Sequence, residues 1–158
     1  MVSALAFILA AQVAAVPPQQ CRAIDAALSV SPATVSVGTP PTFTIVLKNV
    51  SNESVRLLDL RDSRRTDLTQ TYYALIFEQN GRELTNLRRV ISDPGPIDSA
   101  NFFLLPAGRS VKTALTTPVD LRTLPEGRYS AHVRITLNPL SAPIPPCRST
   151  RVSFTVVK

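Results

Sequence analysis

The stretch LPEGRYSAHVRITL, residues 124–137, decides the fold. A turn carrying Pro125 and Gly127 runs into strict alternation. Tyr129, Ala131, Val133, Ile135 and Leu137 fall on one side; Ser130, His132, Arg134 and Thr136 fall on the other. A period of two sustained over this length specifies a β-strand with one face in a core and one toward water. On that parity His132 is expected on the solvent side, beside Arg134.

Outward from this strand, other segments repeat the pattern. TFTIVLK (42–48) turns Phe43, Ile45 and Leu47 inward, and RVSFTVV (151–157) turns Val152, Phe154 and Val156 inward. Residues 22–30 alternate weakly, and residues 34–37 form a short piece closed by Gly38-Thr39-Pro40-Pro41, which suits a sheet edge where missing N–H donors do no harm. SVRLLDL (54–60), residues 101–105 and residues 110–116 read as further strands. TYYALIFE (71–78) is apolar on both sides, so it is expected to be central in its sheet. Asn80-Gly81 after it is a strong hairpin signal. Its partner is expected over 83–91, where Leu84, Leu87 and Val90 recur nearer every third residue and admit a short helical turn. LPAGR (105–109) and LPEGR (124–128) share a turn grammar, with Pro expected second and Gly fourth in a type I turn. No long amphipathic helix follows the N-terminal segment. The expectation is an all-β, antiparallel immunoglobulin-like β-sandwich of about seven to nine strands, one domain over residues 16–158. The chain has no Trp, so this is the architecture without the antibody-type core.

Residues 1–15 are uncharged and apolar, too short to span a bilayer, and suit a cleavable signal segment ending at Ala15. Cys21 and Cys147 are the two cysteines of the chain, and in an exported protein they are expected to pair. Lipidation of Cys21 is the rival, disfavoured because Pro18-Gln19-Gln20 is not a small-residue lipobox. The expected location is secreted or periplasmic, with no transmembrane segment in the mature chain.

Lys and Arg number 17 against 11 Asp and Glu, for a net charge of +6. Such a field favours acidic partners without specifying one. Arg61, Arg64 and Arg65, with Arg88 and Arg89, lie near the aromatic pair Tyr72 and Tyr73, and together they are a candidate patch for an anionic ligand. Asn49 and Asn52 begin N-x-S sequons, although the turn chemistry of Asn and Ser explains them equally.

Catalytic chemistry finds little material. His132 is the single histidine, and a Ser-His-Asp hydrolase needs one held between nucleophile and acid. Asp59, Asp62 and Asp67 are interleaved with arginines, which a calcium loop would have to tolerate. Zinc spacing and a Gly-rich phosphate cradle are absent from the sequence. No catalytic residue, metal ligand or cofactor is expected.

The order TFTIVLKNVSNESVRLL, FEQNGREL, LLPAGRSVKTAL and LPEGRYSAHVRITL resembles bacterial immunoglobulin-like modules, and in particular the domain of the intracellular proteinase inhibitor family. The resemblance spans residues 42–137. It implies a sandwich fold and, as an alternative function, protease inhibition through an exposed loop, 92–100 or 138–146; no inhibitory residue maps across. The primary expectation is an exported, monomeric, non-enzymatic binding module for an unknown protein or anionic envelope polymer. Nucleic acid is not expected as a partner.

Overall fold

The computed structural model describes residues 19–59, 71–87, 97–115, 117, 119–137 and 146–158. Within them the chain is nearly all β. A five-residue helix, α1 (Gln19–Ala23), leads into β1 (Ile24–Ser31), β2 (Thr34–Ser36), β3 (Thr42–Asn49), β4 (Val55–Leu58), β5 (Tyr73–Gln79) and β6 (Arg82–Glu83). Then come β7 (Phe102–Leu105), β8 (Ser110–Leu115), β9 (Gly127–Ile135), β10 (Cys147–Arg148) and β11 (Val152–Val157).

Two sheets face one another. One has the order β1-β3-β8; the other has the order β2-β11-β9-β5-β6, with β10 also beside β9; β4 and β7 form a separate pair. The residues that alternate inward in the sequence are those that meet between the sheets. Phe43, from β3, meets Phe77 of β5 and Phe154 of β11 edge-on, at 5.5 and 5.6 Å between ring centroids. Tyr129, Ala131, Val133 and Ile135 are all buried beneath them. This is the layered, all-β sandwich the alternation implies, built with more and shorter strands than expected.

Two differences from the expected topology have physical causes. The sheets are not wholly antiparallel: β2 runs parallel to β11, pairing Val35 with Val156. The break between the pieces read at 22–30 and 34–37 falls at Ser31-Pro32 as expected, with β1 in one sheet and β2 in the other. β5 is not central, since β9 flanks it on one side and only the two-residue β6 on the other. Its outward Ile76 is nonetheless buried, which is why its sequence is apolar on both faces.

The turns follow their residues. Asn80 and Gly81 both take positive φ, +52° and +76°, and close a two-residue hairpin between Gln79 and Arg82. The expected long partner shortens to β6, followed by a 3-10 turn at Thr85–Leu87. In LPAGR the Arg109 N–H donates to the Pro106 carbonyl at 3.1 Å, so Pro106 stands first and Gly108, with φ +71°, third. Glycine is needed at that third place because of the positive φ. In LPEGR the closing bond comes from a side chain: Tyr129 Oη donates to the Pro125 carbonyl at 2.7 Å. A tyrosine at the start of this strand bonding back a few residues is the tyrosine corner of immunoglobulin-like sandwiches.

Cys21 and Cys147 form a disulfide, with Cα atoms 5.4 Å apart, across 126 sequence positions. Both thiols are consumed, so Cys21 carries no lipid thioether. Closing a loop of this length stabilises by about 4–5 kcal/mol in the chain-entropy picture.

Candidate functional site

The outer face of the larger sheet gathers a group of charged side chains. Its centre is His132 on β9. Register sets the neighbours: Ile76 of β5 lies opposite His132, and Glu78 lies opposite Ser130. On the other flank Val152 pairs with Ala131, which places Arg151 beside His132, and Arg148 of β10 lies opposite Arg134. Side chains from four adjacent strands therefore share one patch of surface.

His132 is not on the solvent side in any practical sense. It is 5% exposed, although the alternation places it on the outward side of β9. The cause is an ion pair that crosses the strand. Arg151 donates to Glu78 Oε1 at 2.9 Å, reaching over β9 from its β11 flank to β5. The same carboxylate oxygen is 3.5 Å from His132 Nδ1. Neither ring nitrogen has a hydrogen-bond partner among the described residues. Burial pushes the imidazole below its usual pKa, Glu78 opposes that shift, and Arg148, Arg151 and Arg134 add to it. The ring is therefore held neutral near pH 7. Arg134 makes a longer contact with Glu83 Oε2, at 3.4 Å, and Arg148 is exposed.

The arrangement offers guanidinium donors from three strands above a buried, neutral imidazole. Guanidinium forks bind carboxylate, sulfate and phosphate oxygens through paired N–H bonds. Sequence reasoning missed this face because the arginines lie at 134, 148 and 151, separated along the chain and gathered only by strand pairing. The available signal was Arg134 beside His132 on the outward side of one strand.

The sequence-derived patch fares differently. Arg61, Arg64, Arg65, Arg88 and Arg89 lie outside the described residues. Tyr73 does not present an aromatic surface: it is 2% exposed and packs in the core, where burial and the Asp59 charge push its hydroxyl pKa upward. Alternation put it inward opposite Ile135. Tyr72 is half-buried against the same core. Of the two loops considered for protease inhibition, 138–146 is described only at Pro146. The other is described from Ile97, where Asp98 caps a 3-10 turn, Ser99–Asn101, in a reciprocal capping box. Residues 1–18, including the expected signal segment, also lie outside. Asp62 and Asp67 do too, and among the described residues no three His, Cys, Asp or Glu side chains gather as metal ligands.

A shallow depression at the far end of the other sheet lies between residues 48–52 and Ala107-Gly108. Its floor is Asn49, whose side chain is wholly engaged. Nδ2 donates to the Glu53 and Leu105 carbonyls at 2.7 and 2.8 Å, and Oδ1 accepts from Ser51 N–H and Oγ at 2.9 and 2.7 Å. The Asn49 amide therefore has nothing left to offer a ligand, and the arginine face is the better candidate.

No protein-family model matches the chain, and no curated protein sequence matches it. Among solved structures, a β-glucosidase from Erythrobacter marinus aligns over 85% of this chain and 15% of that one, with 12% identity and a TM-score of 0.44.

Proposed function

We propose that the chain is an exported, non-enzymatic, immunoglobulin-like module that works by binding a protein or an anionic polymer of the cell envelope. The observation that carries this reading is the Arg134–Arg148 cross-strand pair beside Arg151. Like charges directly opposite one another weaken a sheet, so this placement does not serve stability and favours a role in binding. The disulfide supports an oxidising compartment. Among the described residues no helix is long and apolar enough to cross a membrane. The burial of the one histidine beneath an ion pair supports recognition over proton-transfer chemistry.

The test is retention. Immobilised protein is challenged with envelope and culture fractions at several salt concentrations. A specific partner should be retained at low salt and weakened as salt rises. Background-level capture at every salt concentration ends the proposal.

A further inference from the structure

We propose that Arg134, Arg148 and Arg151, set over the buried imidazole of His132, form a binding site for a sulfate- or phosphate-type oxoanion. The inference rests on the binding reading above and assigns its ligand chemistry.

The first support is placement. β9 supplies Arg134 and His132, β10 supplies Arg148, and Arg151 stands at the entry to β11. Strand pairing puts Arg148 across from Arg134 and Arg151 beside His132. Arg148 is exposed, and no ion pair among the described residues engages it. The second support is the imidazole itself. His132 is more than nine-tenths buried, yet both ring nitrogens lack a hydrogen bond among the described residues. Buried polar atoms are nearly always satisfied, and an exception calls for an explanation, a bound ion or water among them.

Charge fixes the class of ligand. Three arginines (134, 148, 151) face two carboxylates, Glu78 of β5 and Glu83 of β6, which leaves one net positive charge, or two when His132 is protonated. Ile76, the remaining neighbour across from His132, is apolar. A dianion that draws Arg151 to itself competes with Glu78 Oε1 for that guanidinium. The released carboxylate, already 3.5 Å from Nδ1, is then free to accept from an imidazolium N–H. Oxoanion binding and His132 protonation therefore favour each other, and linkage requires the coupling to be reciprocal.

Sulfate is the probe, because it keeps both charges between pH 5.5 and 7.5. Sodium chloride at matched ionic strength is the control. His132 is the one histidine, so its ring-proton NMR resonance reads the site without ambiguity. The expected result is a saturable shift with sulfate and not with chloride, with binding about fivefold tighter at pH 5.5 than at 7.5. Arg148→Gln, an exposed change that leaves the fold intact, should weaken sulfate by about tenfold. His132→Gln, followed on backbone amides, should keep the binding and lose its pH dependence. Dextran sulfate binding no better per sulfate group identifies a free ion as the ligand, and much tighter binding identifies a polymer; either supports the site. No saturable sulfate shift, or one unchanged in Arg148→Gln, overturns it. A retained partner that neither sulfate nor Arg148→Gln displaces overturns the site while leaving the binding reading in place.

Discussion

Asn49 and Leu105, 56 positions apart, are joined by a buried 2.8 Å hydrogen bond from Asn49 Nδ2 to the Leu105 carbonyl. The side chain ties the end of β3 to the end of β7, while its backbone meets the turn between β7 and β8: Asn49 N–H donates to Arg109 and Gly108 N–H donates to Asn49. Asn49→Ala leaves the Leu105 carbonyl without its partner and removes the turn bonds to Ser51 and Glu53. The expected loss is about 2–3 kcal/mol, and thermal unfolding of purified protein should show a midpoint lower by roughly 5–10 °C.

The same bonds separate the two sequons. The Asn49 amide nitrogen is buried and donates both of its hydrogens, whereas Asn52 is exposed. Expression through a eukaryotic secretory route should place glycan on Asn52 and not on Asn49. Peptide mass spectrometry of the secreted product reads this directly, and occupancy at Asn49 would contradict the geometry.

Reduction of Cys21–Cys147 should cost up to about 4–5 kcal/mol, the chain-entropy figure for so long a loop. Denaturant titrations with and without a reducing agent give the difference. A thiol assay of the unreduced native protein should find no free thiol; two reactive thiols would show that the bridge does not form.

Protonation of His132 should weaken the fold. Its native pKa lies below the ordinary 6.5, so the unfolded chain takes up a proton at higher pH than the native one. Native stability from this residue is complete above about pH 6.5 and falls as the pH drops through the lowered native value. Denaturation midpoints at pH 7.5 and 5 should differ more in the wild type than in His132→Gln.

Tyr129→Phe deletes the hydroxyl that reaches the Pro125 carbonyl and keeps the ring, which stacks on Phe154. The expected loss is about 1–1.5 kcal/mol, with the core unchanged. Equilibrium denaturation with an unaltered m-value would establish both points.

Strand positions and core residues were legible because alternation over 42–48, 129–137 and 151–157 is a local property of sequence. The Asn80-Gly81 turn was legible for the same reason: its φ angles suit only a few residue types. What parity could not anticipate is long-range. His132 obeys the alternation and is buried anyway, because Glu78 and Arg151 arrive from elsewhere in the chain. Tyr73 sits beside Tyr72 in sequence, but only the register with Ile135 shows which of them enters the core. The arginine face follows the same rule, since strand pairing assembles it from separate segments.

The sulfur bridge also determines how the molecule bears tension. Force applied between Gln19 and Lys158 enters at Cys21 and crosses directly to Cys147, bypassing the chain between them, a sequence separation of 126. Only residues 148–158 can then be drawn out, a lengthening of roughly 40 Å. With the bridge open, the bypassed segment could pay out roughly 400 Å more. The intact protein therefore yields only at its C-terminal end: pulling shears β11 away from β9 and β2, while the loop closed by the bridge cannot lengthen.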